Sequence, residues 1–277
     1  MTLVVARLAR YPVKSCRGVE VGEARVEPWG LAGDRRWMVT EPDGTFVTAR
    51  ALPRLLLVHP EPDDRGVVLR APGVAPLPVP TPDGGPLVDV VVWRDRVKAI
   101  HAGEAAAAWL TEVLGRPLQL VHLDDPRKRP VDPEFGAVGD TVSFADGFPL
   151  LLTADGSLGA LNELITAGPD AGEGPVPMVR FRPNVVVAGS APWAEDGWSA
   201  LRIGAARFRV VKPCGRCVVT TIDPRTAGKG REPLATLARH RRIGGKAVFG
   251  VNLVPDTPGV AVRVGDEVEP LGRPGSG

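Results

Sequence analysis

The chain has 277 residues, of which 44% are apolar and 24% charged, and its formal net charge is +2. This composition is typical of a globular protein with one large domain or two ordinary ones, and the small net charge argues against a dedicated nucleic-acid-binding protein. No apolar run reaches the roughly 18 residues that span a bilayer, and the N-terminus lacks a signal-peptide pattern, so we expect no membrane association. Three cysteines do not make a disulfide framework, which favours a reducing cytoplasm.

Short apolar runs rich in β-branched residues predict strands along most of the chain. Glycine, proline and aspartate separate these runs, a pattern that indicates barrels or sandwiches rather than alternating strands and helices. The predicted strands lie within residues 2–13, 35–49, 55–60, 66–72, 88–101, 185–189, 206–213, 217–222 and 260–269.

Helical spacing occurs in three places. Residues 103–115 are rich in alanine and end at a glycine, residues 157–165 begin at a possible N-cap, Ser157, and residues 231–243 carry Pro233 near their start. Each of these features favours a helix.

Three other segments predict irregular structure. Residues 71–86 are rich in proline and favour a loop between strands. Residues 124–136 interrupt the strand pattern with charge and proline and are the best linker candidate. The tail at residues 273–277 is predicted to be disordered.

Cys214 and Cys217 form a C-x-x-C pair within VKPCGRCVVTTIDPRT. A structural zinc site needs four ligands, and the remaining cysteine and four histidines are scattered singly. A thioredoxin-like pair normally opens a helix, whereas the β-branched residues after Cys217 favour a strand. Both cysteines could be small buried hydrophobes, but their basic neighbours Lys212 and Arg216 suit a soft metal beside an anionic ligand.

Two basic motifs lie in the N-terminal part. YPVKSCRG places Lys14 and Ser15 at the end of an apolar strand, where an ammonium and a hydroxyl can bind a phosphate. GDRRW contains Arg35 and Arg36, which face opposite ways in a strand, so we expect only one of them in any pocket. For Lys14 and Ser15 taken in isolation, a solvated strand end is the commoner explanation.

Two polar motifs follow in the C-terminal part. Arg182 and Asn184 share one face if residues 179–187 form a regular strand, which would pair a forked cation with an amide. Asp146 and Gly147 form a predicted turn before a buried strand, and turn formation alone accounts for such an aspartate. None of these motifs decides function by itself.

Taken together the motifs resemble one family. YPVKSCRG, GDRRW and DGTFVTAR resemble the β-barrel domain that precedes MOSC domains, while FADGFPLLLT, FRPNVVVAG, WAEDGW and CGRCVVTTIDPRT resemble the MOSC domain itself. The order and spacing are most similar to the amidoxime-reducing branch of this family. The resemblance implies a β-rich α+β fold, with an N-terminal β-barrel-like domain at 1–123 packed on a MOSC β-barrel domain at 124–272.

The resemblance also implies a site for the molybdenum cofactor, Mo-molybdopterin. Cys217 matches the position that coordinates molybdenum, which makes it the metal ligand and the catalytic residue, and leaves Cys214 as a neighbour. The cofactor-binding positions carried over are Lys14, Ser15, Arg35, Asp146, Gly147, Arg182, Asn184 and Cys217.

The activity implied by the resemblance is the reduction of N-hydroxylated compounds such as amidoximes, hydroxylamines or N-hydroxylated bases. The chain lacks a run of cysteine ligands for an iron–sulfur cluster, so a separate ferredoxin or flavoprotein would supply electrons. A sulfur carrier or cofactor-handling protein with a persulfide on Cys217 is the alternative, and a β-barrel that only binds a phosphate-bearing ligand is a third. The family resemblance also admits pyridoxal phosphate binding.

Overall fold

The computed structural model describes residues 2–272 and is dominated by strands. The strands of the first half are β1 (Val4–Arg10), β2 (Val19–Val21), β3 (Glu23–Glu27), β4 (Gly30–Leu31), β5 (Trp37–Thr40), β6 (His59–Pro62), β7 (Gly66–Ala71), β8 (Val74–Pro80), β9 (Leu87–Val92), β10 (Asp95–His101) and β11 (Gln119–His122). Those of the second half are β12 (Leu150–Ala154), β13 (Val185–Ala188), β14 (Ala200–Ile203), β15 (Ala206–Gly215), β16 (Arg242–Ile243), β17 (Lys246–Pro255), β18 (Ala261–Arg263) and β19 (Val268–Pro270).

Three α-helices occur in this described part: α1 (Glu104–Leu114), α2 (Asp155–Thr166) and α3 (Leu234–His240). None of them is long and apolar enough to cross a membrane. The predicted β-rich α+β fold with a few short helices is confirmed. The domain boundaries at residue 123 stay a prediction.

The largest sheet has nine strands and joins the two ends of the chain. Its order is β19-β14-β15-β17-β12-β13-β1-β2, and β16 pairs with β17 beside this path. β1 is antiparallel to β13, with Val5 opposite Val187 and Leu8 opposite Val185. The inward side chains of these strands, among them Leu152, form one fully buried apolar cluster. The first strand is therefore part of the core that the second half of the chain builds.

Two smaller sheets of the first half accompany helix α1. One has the order β5-β11-β10-β9 and the other β6-β7-β8. Trp109 and Leu110 on α1 pack with Leu120 on β11 and Leu69 on β7 in a second buried cluster. Hydrophobic burial thus anchors the loops that leave β1 and β5 toward the second half.

The prediction of a loop at residues 71–86 is wrong, because this segment contains β8. Within residues 2–272 this strand pairs only with β7, so it lies at the edge of its sheet. An edge strand can hold proline, since the missing N–H groups need not face a partner. A proline-rich segment is therefore compatible with a strand at the edge of a sheet.

The strand predicted after the second cysteine is also wrong. β15 ends at Gly215, and Val218–Thr221 form a short 3-10 helix. The hydroxyls of Thr220 and Thr221 donate to the carbonyls of Cys217 and Val218, both at 2.9 Å. These local hydrogen bonds compete with sheet pairing, which overrides the β-branched propensity.

Residues 179–187 do not form one regular strand. Met178–Phe181 are a 3-10 helix, Arg182 lies in the left-handed region, and β13 begins only at Val185. The expected shared strand face of Arg182 and Asn184 is therefore wrong, although both side chains reach the same cavity.

The three predicted helices are present, but their first and last residues differ from the prediction. α1 and α2 match closely, while α3 covers only the middle of residues 231–243. Ser157 is not an N-cap, because α2 begins at Asp155 and the buried Ser157 hydroxyl donates to Glu195 at 2.8 Å. The linker candidate, residues 124–136, contains only the 3-10 helix Pro126–Lys128. The tail predicted to be disordered lies outside the described residues.

Leu152 tests the importance of the nine-stranded core. It is fully buried on β12 between Val185 of β13 and Val251 of β17. We expect Leu152→Ala to lower the free energy of unfolding by about 2–5 kcal/mol in urea titrations, because it removes buried methyl groups and leaves a cavity. The matched change Val264→Ala, at a residue that is 45% exposed, should stay within about 0.5 kcal/mol of wild type. Equal losses would contradict this account of the core.

Candidate functional site

All eight residues singled out from the sequence line one cavity between the two halves of the chain. Its empty volume is about 840 Å³, part of which is open to solvent. Of the described residues, six basic and one acidic contribute to its wall: Lys14, Arg35, Arg50, Arg180, Arg182, Arg216 and Asp146. Such an excess of positive charge suits an anionic ligand.

Lys14 is held at the cavity wall by groups from both halves of the chain. Its backbone N–H donates to Trp37 of β5, and only 3% of the residue is exposed. The ammonium donates to the Phe144 carbonyl at 2.7 Å and to Asp146 at 2.5 Å. Burial lowers the pKa of Lys14 to about 8, although Asp146 opposes this shift. An ammonium has three donors, so one hydrogen remains for a ligand.

Asp146 is the only carboxylate of the cavity wall within the described residues. Desolvation acts to raise its pKa, but the ion pair with Lys14 and the Arg50 guanidinium at 3.4 Å hold that pKa well below its usual range. Asp146 therefore stays ionised and balances part of the positive charge even though its side chain is 61% exposed.

Arg35 and Asn184 connect the two halves beside this pair. The Arg35 guanidinium donates to Asp34 at 2.6 Å and to the Asn184 side-chain oxygen at 3.0 Å. The Asn184 amide donates to the Ala9 carbonyl at 3.1 Å. Arg36 instead donates to the Leu123 carbonyl at 3.1 Å. Arg35 therefore lines the cavity and Arg36 does not, as expected. The predicted reason, alternation within a strand, is wrong, because both residues precede β5 and Arg35 has a left-handed backbone.

Arg182 is the cation with the fewest partners. Its guanidinium lies 4.3 Å from the centre of the Tyr11 ring, whose hydroxyl donates to the Pro183 carbonyl at 3.1 Å. Within residues 2–272 this guanidinium has no hydrogen-bonded acceptor. Burial lowers the pKa of Arg182 to about 10, which still leaves it charged near neutral pH. Its free N–H groups can therefore bind ligand oxygens.

Several residues that build the site have left-handed backbone conformations. Ser15, Arg35 and Arg182 have φ angles of 66°, 46° and 56°, and Trp93, which contacts Arg50, has 57°. Each such conformation costs about 1–3 kcal/mol in a residue other than glycine and persists where the surrounding structure imposes it. The clustering of this strain around one cavity is typical of a functional site.

The C-x-x-C loop presents both sulfurs to the cavity, with different partners. Arg50 donates to the Cys217 sulfur at 3.3 Å, and Arg216 donates to the Cys214 sulfur at 2.9 Å. Lys212 lies over the ring of Phe135 instead of beside either sulfur. Sequence reasoning missed Arg50, which lies 167 residues before Cys217, and only its place in DGTFVTAR drew any notice to it.

The residues present fit a metal held mainly by a cofactor. Within residues 2–272, no three histidine, cysteine, aspartate or glutamate side chains come together as a metal site. A metal at Cys217 would therefore take its other ligands from a non-protein group. One sulfur donor and two cations with no salt bridge in the described residues, Arg182 and Arg216, suit a phosphate-bearing ligand that carries a thiophilic metal.

Comparison with known proteins assigns the chain to a family. Residues 2–117 match the MOSC N-terminal beta barrel domain and residues 139–269 match the MOSC domain. The chain belongs to the MOSC-domain family. It is 36% identical to human mitochondrial amidoxime-reducing component 1, with 97% of this chain and 83% of that protein aligned. It is 34% identical to human mitochondrial amidoxime reducing component 2, with 95% and 82% aligned. Zebrafish (Danio rerio) molybdenum cofactor sulfurase is also 34% identical, but only 31% of that longer protein is aligned.

Anion binding at this MOSC site should depend on pH through Lys14. A bound anion favours the protonated ammonium, so affinity should be level below the free-protein pKa of about 8 and fall as pH rises above it. The limiting slope is about tenfold per pH unit. Sulfate, which does not titrate in this range, is the probe, and calorimetry between pH 6 and 9, below the pKa of about 10 of Arg182, is the measurement. Lys14→Met should bind more weakly with a flat profile. A falling profile in that variant would assign the effect to another group.

Proposed function

We propose that this MOSC-family protein binds the molybdenum cofactor and reduces N-hydroxylated compounds. The observation that carries the proposal is the single cavity in which the Cys217 sulfur, Lys14, Arg35 and Arg182 converge from both halves of the chain. The names of its amidoxime-reducing relatives support the same activity.

In this proposal, one group of cavity residues binds the phosphate end of the cofactor and another binds its metal end. Lys14, Ser15, Arg35 and Arg182 bind its phosphate end, where charge-assisted hydrogen bonds are strong. Cys217 binds the metal through sulfur, and the Arg50 N–H group orients that sulfur and partly neutralises its charge. When bound, the cofactor would supply two-electron exchange at the metal.

The overall reaction balances as a two-electron reduction. An amidoxime takes up two electrons and two protons, its N–O bond breaks, and an amidine and water leave. A separate electron donor, such as a ferredoxin or a flavoprotein, supplies the electrons. We also propose that the protein acts in the cytoplasm.

A sulfur-handling role is the second candidate. The similarity to molybdenum cofactor sulfurase and the second thiol, Cys214, beside Cys217 favour it. In that case Cys217 would carry a persulfide, and the purified protein would hold sulfane sulfur with little molybdenum.

Elemental analysis distinguishes the two candidates. We expect near-stoichiometric molybdenum in wild type purified from a host that makes the cofactor, and little in Cys217→Ala, because the metal loses its only protein sulfur ligand. The matched control Cys214→Ser should keep the metal. Wild type should also reduce benzamidoxime with a viologen donor. Sulfane sulfur without molybdenum in wild type would overturn the reductase proposal.

Arg182→Ala tests the phosphate end. The variant should weaken cofactor retention by roughly 1.5–3 kcal/mol, the usual contribution of a hydrogen bond to a charged group. Molybdenum retained after dialysis is the measurement. Arg127→Ala, at an exposed arginine on the surface, is the control and should lose none. Full retention in Arg182→Ala would exclude a role in cofactor binding.

A further inference from the structure

A second hollow adjoins the cofactor cavity. It has an empty volume of about 1190 Å³, part of which is open solvent. Asp146, Gly147 and Phe148 line both spaces, so this segment is their common boundary. A Cβ atom added at Gly147 would meet no atom within 4 Å, which leaves room above the boundary.

Aromatic rings flank the boundary. Trp93 is 43% exposed, and its ring packs edge-on against Phe46 with 4.9 Å between centroids. The Arg50 guanidinium lies 4.4 Å from the centre of this ring and also donates to Cys217. Trp93 is thus separated from the proposed metal ligand by one side chain. An exposed, fixed ring in that position provides a stacking surface for a planar ligand.

Among the residues that the structure describes, one cation of the second hollow forms no salt bridge. Arg94 pairs with Asp132 at 2.9 Å, and Arg129 pairs with Asp95 at 2.8 Å. The Lys212 ammonium has no carboxylate oxygen within 4.0 Å in the described part of the chain and lies 3.7 Å from the centre of the Phe135 ring. It also lies 5.6 Å from the Phe148 ring centre.

We propose that the second hollow is the substrate chamber and that it selects planar N-hydroxylated compounds with an anionic substituent. The inference rests on the proposed function. The aromatic part of the substrate would stack on Trp93 or Phe148, its N-hydroxylated group would face the metal across Gly147, and its anionic group would pair with Lys212. Since Lys212 would contact the anionic substituent and not the N-hydroxylated group, it should affect substrate binding and not the chemical step.

Lys212 can be tested with two matched substrates. Benzamidoxime is neutral, whereas 4-carboxybenzamidoxime carries a carboxylate on the same ring. We expect wild type to have a lower KM for the carboxylated compound at equal kcat. Lys212→Met should reduce this preference in kcat/KM about tenfold, through KM, as expected for the loss of a charged partner. Lys212→Arg should restore it.

The control is Lys98→Met, which removes an exposed lysine on β10 that pairs with Asp89. It should leave the preference unchanged, and molybdenum content should be equal in all variants. Calorimetry with the two products, benzamidine and 4-carboxybenzamidine, gives a second readout without turnover, and Lys212→Met should abolish the difference between them.

The outcomes separate the two proposals. If wild type reduces benzamidoxime but shows no Lys212-dependent preference in either assay, the substrate chamber is wrong and the reductase proposal stands. If metal-loaded wild type reduces neither compound, the reductase proposal fails. In that case, equal binding of both products by wild type and Lys212→Met would reject the hollow as an anion-selective site as well.

Discussion

The contact between Lys14 and the segment that ends at Asp146 is the interaction on which the cavity depends. The two residues are 132 positions apart and come from opposite halves of the chain. A buried ammonium is costly unless it is paired and hydrogen-bonded, so the fold must deliver both a carbonyl and a carboxylate to it. The buried Arg129 guanidinium meets this need by donating to the carbonyls of Ser143, Ala145 and Asp146, which fixes the course of this segment. The cavity is therefore held by polar contacts between the halves as well as by the shared sheet.

The same arrangement concentrates several destabilising contributions to the folding free energy in the cavity wall. Lys14 is charged and buried, Arg182 is charged and partly buried, and three wall residues have left-handed backbones. Because the pKa of Lys14 is lowered in the folded protein, its burial destabilises the fold most below about pH 8, and this cost fades as pH rises toward the unfolded value. A bound anion would compensate these charges, so ligand binding and folding stability are linked. The apolar core of the nine-stranded sheet offsets the cost when no ligand is bound.

Much of the fold was predictable because it follows from local pattern. The alternation of apolar and turn-forming residues predicted the β-rich architecture, and alanine content with a terminal glycine predicted α1. The predictions failed where contacts with residues outside the segment determine its secondary structure. Residues 74–80 form a strand because β7 supplies an edge that accepts proline, and Val218–Thr221 leave the sheet because threonine hydroxyls bond to nearby carbonyls. The Ser157 hydroxyl donates a hydrogen bond to Glu195, 38 residues away, and does not cap its helix.

The sequence by itself determined the chemistry available to the protein. Motifs of a few residues placed a cysteine, several cations and one carboxylate where the family pattern expects them, because such motifs are contiguous in the chain. Only the tertiary structure decided which of these groups meet. It placed the Arg50 guanidinium against the Cys217 sulfur and gave the Arg182 guanidinium no acceptor among residues 2–272. It also placed the Lys212 ammonium over the Phe135 ring, in an adjacent hollow. These contacts depend on strand order and on irregular loops, which bring residues together without any periodicity that a sequence could reveal.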